Sequence, residues 1–238
     1  MLSIVFIILC IFLVLFIFKN KTRIDVRSFF LKGFKKKDDM FGLYTYTGKQ
    51  GQGKTYSAVK FVTKMARTYN YKVITNIKSY NAFDDIIYIS DIIDLINFVN
   101  ENTNDLHDRK CKYLIFFDEI FTVLMKGQSI NTTILAFLAQ LRKRGIIFVT
   151  TAQEWSEIPL TFRRFCRFQI SCNMYSIPFL DLAIQRNLHN DGYNVKWDDK
   201  AQEFVAPLMF TKIAKCNKYV VDLYDTFETI NTQKVVKK

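Results

Sequence analysis

The sequence predicts an α/β fold with a mainly parallel central sheet flanked by helices, preceded by one N-terminal apolar helix. Three observations predict it. A strand pattern at Phe41–Thr47 runs through a glycine-rich loop into a helix pattern at Lys54–Tyr69. The run Tyr113–Phe117 is continuously apolar, as in a strand buried on both faces, and an acidic pair follows it. Further strand and helix patterns then alternate, which implies parallel neighbours joined by helical crossovers.

The N-terminal element comes first in the chain. Leu2 to Phe18 contains Ser3 as its only polar side chain, and a helix over Met1–Phe18 would be about 27 Å long, near the hydrocarbon thickness of a bilayer. Lys19, Lys21 and Arg23 end the run, and Arg27, Lys32, Lys35, Lys36 and Lys37 follow. The positive-inside rule then keeps residues after the span cytoplasmic, at the inner or plasma membrane. A cleaved signal peptide would need a basic segment before the apolar run and small residues at a cleavage site, and neither is present. The expected division is a transmembrane helix over 1–18, a basic juxtamembrane linker over 19–38, a globular domain over 39–231 and a basic tail over 232–238. Between Ile24 and Phe34 the mixture of apolar and basic residues fits either an anionic membrane surface or a solvated linker.

Within the globular part, Tyr71–Thr75 and Ile86–Ser90 read as short strands, and Ser90-Asp91 as the cap of a helix carrying Ile92, Ile93, Leu95, Ile96 and Val99. Ile130–Arg144 reads as a helix stopped by Gly145, and Ile146–Thr151 as another buried strand. After Pro159 the expected strands are Phe168–Cys172, Phe204–Phe210 and Tyr219–Tyr224.

Composition narrows the chemistry. Lys and Arg outnumber Asp and Glu by 34 to 22, a net charge of +12, so anionic partners such as lipid headgroups or nucleic acid are favoured. The five cysteines include no Cys-x-x-Cys pair and only two histidines accompany them, which argues against a zinc site or a disulfide framework. Reduced, buried thiols suit a cytosolic domain.

The glycine-rich loop is Gly48-Lys49-Gln50-Gly51-Gln52-Gly53-Lys54-Thr55, the full Walker A spacing between a strand and a helix. Its glycines let backbone N–H groups close around phosphate oxygens, and the helix start adds partial positive charge. Gly48, Lys49, Gln50, Gly51, Gln52, Gly53, Lys54, Thr55 and Tyr56 are the candidate ATP-binding residues. Lys54 is placed to reach the β- and γ-phosphates, and the Thr55 hydroxyl to ligate Mg2+.

Asp118-Glu119 at the end of the apolar strand is the Walker B arrangement. Asp118 is the second Mg2+ candidate, and Glu119 is placed to orient and activate the attacking water. Gln153, after the strand Ile146–Thr151, either contacts the γ-phosphate or water, or satisfies strand-end backbone groups. Arg163 or Arg164 is the candidate arginine finger across a subunit boundary, with Arg142 and Arg144 as further candidates; each is otherwise a surface or helix-end cation.

Taken in order, T-G-K-Q-G-Q-G-K-T, I-F-F-D-E, Q-L-R-K-R-G-I-I-F-V-T-T-A-Q and E-I-P-L-T-F-R-R-F resemble the Zot-like (zonular occludens toxin-like) assembly ATPases of filamentous phages, within the FtsK/HerA group of P-loop NTPases. The resemblance spans Phe41 to Cys172. It implies a homo-oligomeric, Mg2+-dependent ATPase in the host membrane, with a ring as one arrangement, that drives virion extrusion with phage coat proteins and phage DNA. One departure is the position of the membrane span, which precedes the ATPase domain here and follows it in better-known members. Two other readings remain beside it: a membrane-bound DNA translocase for packaging or conjugative transfer, and a non-hydrolysing nucleotide-binding scaffold.

Overall fold

The computed structural model describes residues 40–103, 113–124, 127, 129–180, 182–200 and 202–225, together with Phe6. Met1–Asp38 and Asp39–Lys238 form separate compact units. Among the described residues no helix is long and apolar enough to cross a membrane. The expected span Leu2–Phe18 lies outside them apart from Phe6, as do the linker 19–38 and the tail 232–238.

The sheet of the second unit has eight strands in the order β10-β7-β6-β1-β5-β4-β2-β3. Its parallel part comprises β1 (Gly42–Thr47), β2 (Lys72–Thr75), β3 (Ile87–Tyr88), β4 (Tyr113–Phe117), β5 (Ile147–Ala152) and β6 (Cys166–Ile177). Two antiparallel strands, β7 (Leu182–Asp191) and β10 (Leu208–Lys215), extend it on the β6 side. β8 (Lys196–Asp198) and β9 (Glu203–Val205) form a separate hairpin.

Both faces are packed. Helix α1 (Lys54–Tyr69) lies on one face, where Tyr56, Val59, Val62 and Met65 meet Tyr44, Tyr46, Val73, Phe116 and Val149. Helices α2 (Ile92–Asn102) and α3 (Thr132–Arg144) belong to the core of the other, with Ile96, Phe137 and Leu141 among Leu43, Ile115, Phe117 and Phe148. As in strands covered on both sides, every residue of β1 and β5 is buried, and so is all of β4 after Tyr113.

The helix ends follow local chemistry. Asp91 caps α2 by accepting from the N–H groups of Ile93 (2.7 Å) and Asp94 (3.1 Å). Asn131 caps α3, so the helix starts two residues after the expected Ile130, and Gly145 stops it in the left-handed region at φ 71°.

The C-terminal third departs from expectation. Phe204–Phe210 is not one strand: Pro207 separates β9 from β10, and the Pro207 carbonyl instead accepts from Asp191 N–H (2.8 Å). Tyr219–Tyr224 is not a strand either. Asn217 caps a short helix α5 (Lys218–Val221), and Val220, Leu223 and Tyr224 turn one side onto the α1-face core at helical spacing. β7 gave no expected strand, because polar residues stand on both alternating sets, Gln185, Asn187 and His189 on one and Arg186 and Asn190 on the other.

Cys166 and Cys172 are buried free thiols, and Cys216 is a half-buried one. Burial pushes the Cys166 and Cys172 thiols up to about 12, so neither is a reactive thiolate at neutral pH.

Candidate active site

Because β1, β5 and β4 are parallel and in register, their carboxyl ends emerge side by side. Thr47 lies opposite Ala152, and Phe117 opposite Thr150. The segment after β1 is the glycine loop, the segment after β4 is Asp118-Glu119, and the end of β5 stands between them. Open parallel sheets bind ligands at this edge.

Gly48 to Gly53 connect β1 to α1, whose first residue is Lys54. The Gly48 N–H donates to the Gln153 carbonyl (3.0 Å), which ties the loop to the end of β5. Gly48 has φ 149°, and a Cβ there would stand 2.7 Å from the Cys172 carbonyl oxygen. Gly53 has φ 73°, with Gln185 Oε1 2.3 Å from a built Cβ. These two positions are closed to side chains by both conformation and space. Lys54 Nζ donates to the Lys49 carbonyl (3.3 Å), holding the ammonium over its own loop.

Thr55 and Asp118, 63 residues apart, come together here. The Thr55 hydroxyl is 3.4 Å from Asp118 Oδ1 and 3.3 Å from Oδ2. Thr151 Oγ1 donates to Asp118 Oδ1 from the other side. Asn76, one residue past β2, brackets the Asp118 peptide: its Oδ1 accepts Asp118 N–H (2.8 Å) and its Nδ2 donates to Asp118 O (3.0 Å). Asp118 is only 6% exposed. Burial raises its carboxyl to about 6, helped by the Glu119 charge and opposed by hydrogen bonds from Thr151 and Thr55 and by the Lys54 charge.

Glu119 sits in the left-handed region at φ 53°, ψ 52°, an unusual conformation for a non-glycine residue. Its N–H donates to Thr151 Oγ1 (2.8 Å), and its carbonyl accepts from the Thr122 hydroxyl (2.9 Å). Thr151 therefore touches both acidic residues at once.

These residues fit a hydrated Mg2+. Thr55 Oγ1 and the Asp118 carboxylate are hard oxygen donors converging on one point, and the Asp118 pKa, raised first by burial, is one that a bound cation would lower. Among the described residues no group of three His, Cys, Asp or Glu side chains could hold a metal alone. The remaining positions fall to water and phosphate, the usual pattern for this ion.

Other expected site residues lie apart from this cluster or contribute differently. The Tyr56 side chain is 3% exposed in the core, with its hydroxyl accepting Asn217 N–H (2.7 Å), which leaves its backbone as the candidate contact to phosphate. Gln153 has an exposed side chain, and its carbonyl takes the Gly48 bond. Arg163, on the short helix α4 (Leu160–Arg163), is 5% exposed and donates from Nε to the Ile158 carbonyl (2.8 Å) and from Nη1 to the Phe204 carbonyl (3.3 Å). Its guanidinium also lies over the Trp155 ring, 5.6 Å from the centroid. That side chain is occupied within its own chain, whereas Arg164 is exposed. Arg144 donates to Asn100 Oδ1.

Sequence reasoning missed Thr151 and Asn76. The first was read as part of an apolar strand, and the second stands in an unremarkable N-I-K segment. The one available signal is register: carried one residue past their ends, the β4–β5 and β2–β4 pairings set Thr151 beside Asp118 and Asn76 beside Phe117, one residue before it.

Fold and site together define a P-loop nucleotide-binding protein whose acidic strand is separated from the loop strand by one intervening strand. The chain belongs to the ATPase family associated with various cellular activities (AAA), whose family model matches residues 44–175, more than half of its length. It is accordingly an ATPase.

Among solved structures it is similar to the N-terminal domain of zonular occludens toxin from Neisseria meningitidis, at 19% identity and TM-score 0.47, covering 77% of this chain and 98% of that one. The genome packaging NTPase B204 from Sulfolobus turreted icosahedral virus 2, in complex with ATP-gammaS, is similar at 13% identity and TM-score 0.45, covering 73% and 100%. The flagellar accessory protein FlaH from Methanocaldococcus jannaschii is similar at 13% identity and TM-score 0.43, covering 71% and 90%. A comparison with curated proteins finds no match.

Proposed function

We propose that this ATPase is anchored in the host membrane and powers the assembly and extrusion of a filamentous-type phage. The observation that carries the hydrolytic part is the meeting of Thr55, Asp118 and Thr151 beside Glu119, at the mouth of the glycine loop. The membrane part rests on the apolar Leu2–Phe18 and the basic residues behind it, and the phage part on the Zot-like order of motifs.

In this reading the loop from Gly48 to Thr55 wraps the phosphates of ATP with its N–H groups, and Lys54 leaves the Lys49 carbonyl to meet the β- and γ-phosphates. Thr55 and Asp118 would hold Mg2+, which would supply positive charge to offset that of the phosphates. Glu119, fixed by its N–H bond to Thr151, takes the proton of the attacking water. In the same reading the exposed Gln153, just past β5, contacts that water or the γ-phosphate. Arg164 of a neighbouring copy in a homo-oligomer, rather than the buried Arg163, stabilises charge on the transferred phosphoryl group.

A second reading, a membrane-bound DNA translocase, is favoured by the +12 charge and the basic segment 19–37. Turnover stimulated by DNA alone supports translocation; turnover stimulated only by membranes or coat protein supports extrusion. Glu119→Gln is expected to bind ATP and stop turnover, and to abolish phage release. Full phage production with that variant would refute a motor.

A further inference from the structure

The glycine loop is gripped from a side that phosphate chemistry does not require. β6 and β7 form a long antiparallel hairpin, and three of its residues bond to the loop or to the helix behind it. The Met174 N–H donates to Gln52 Oε1 (3.0 Å). Gln185 Nε2 donates to the Gln52 carbonyl (3.2 Å) and to Asn187 Oδ1 (2.8 Å). Asn187 in turn exchanges hydrogen bonds with the Ser57 hydroxyl on the first turn of α1 (3.0 and 3.3 Å).

Gln185 is 3% exposed. Its amide orientation is settled by its neighbours, since Nε2 faces two oxygen acceptors and the opposite orientation would set oxygen against oxygen. Oε1 then has no hydrogen-bond partner among the described residues and rests against Gly53. A buried amide oxygen left without a donor is costly, and a Leu of similar size would fill the same space without that cost. The polar side chain is explained by what its other end does, which is to hold the Gln52 peptide.

On the basis of the P-loop ATPase reading, we propose that Gln185 is a positioning residue for the phosphate loop, and that with Gln52 it couples nucleotide occupancy to the β6–β7 hairpin. The loop cannot rearrange around phosphate without loading the Gln52 side chain and carbonyl, and both are tied to the hairpin. The hairpin continues past these bonds through Tyr175, half exposed, to Phe179, which is fully exposed at its turn. A change at the loop is therefore delivered along two paired strands to the exposed turn at Phe179.

The test uses the full-length chain in detergent and a fluorescent ADP with Mg2+, so that it does not depend on turnover. Gln185→Leu and Gln52→Ala are each expected to raise the Kd about tenfold, the scale of one or two lost hydrogen bonds. Their effects should be less than additive in the double variant, because both hold one loop. Melting temperature should stay within a few degrees of the parent, and the rise in KM for ATP should exceed any fall in kcat. Hydrogen exchange of residues 172–176 should slow on ADP binding in the parent chain and lose that dependence in Gln52→Ala.

Unchanged Kd in both variants, or hairpin exchange indifferent to ADP in the parent, overturns the coupling. Should Gln185→Leu fail to fold, Gln52→Ala decides alone, since it alters only a half-buried loop side chain. Lys54→Ala separates the two levels of the argument. If it binds ADP as the parent does, the P-loop reading fails; if it alone loses binding, the P-loop reading stands and the coupling falls.

Discussion

Replacing Thr151 with Val keeps the shape of the side chain and removes one hydroxyl. That hydroxyl accepts from Glu119 N–H at 2.8 Å and donates to Asp118 Oδ1. The first is a neutral bond worth about 1 kcal/mol, and the second, to a carboxylate, is worth about 1.5–3 kcal/mol. Both leave a partner behind in a nearly closed site, so the stability loss is expected at about 2–4 kcal/mol. Asp118 also loses a bond that favours its ionised form, so its carboxyl rises further above about 6. Glu119, in a left-handed conformation near φ 53°, loses one of the bonds that keep it there. Turnover should fall, the apparent Mg2+ affinity should weaken, and the acid limb of kcat/KM should move to higher pH.

Urea denaturation and a pH series of kcat/KM at fixed Mg2+ check this, with Thr151→Ser as control because it retains the hydroxyl. If Thr151→Val matches the parent in both assays, or if Thr151→Ser is as damaging, the hydroxyl does not organise the acidic pair and the reasoning is wrong.

Arg163→Ala should destabilise the chain by about 2–4 kcal/mol through the lost bonds to Ile158 and Phe204 and the lost Trp155 contact, readable as a lower urea midpoint. Arg164→Ala should leave that midpoint within about 0.5 kcal/mol while lowering ATP turnover by a neighbouring copy; mixing it with Glu119→Gln chains and measuring restored turnover checks the trans arrangement. His189, stacked on Phe210 at 4.4 Å and edge-on to Phe168, is lowered to about 4 by burial and by the Lys212 charge. A lowered histidine means the unfolded chain binds the proton more readily, so stability is complete above about pH 6.5 and is lost as pH falls toward 4. The loss should be about 2 kcal/mol after discounting for partial exposure, and His189→Phe should remove that part of the pH dependence.

Local sequence was enough for everything that depends on short-range chemistry. Lys54–Tyr69 and Tyr113–Phe117 have the expected bounds, and Asp91 and Gly145 stand at the helix ends where their side chain and backbone freedom place them. The glycine loop and the acidic pair were legible because each is contiguous and its residue types answer directly to phosphate and cation chemistry. Long-range partners were not. Thr151 and Asn76 are ordinary residues until parallel register sets them beside Asp118, and register is a property of the whole sheet. β7 was illegible for a related reason: Gln185 and Asn187 are polar because they serve the loop and α1, so the strand lacks the apolar alternation that announces one. Arg163 shows the converse. Two adjacent arginines in the sequence are equivalent by type, and only packing sends one under Trp155 and leaves the other in solvent. The sequence by itself determined that ATP is bound on a P-loop beside an acidic strand end, since motif spacing and apolar runs act locally. Tertiary structure decided which hydroxyl, amide and carbonyl hold that site in shape, because those contacts exist only once strands distant in the chain are brought side by side.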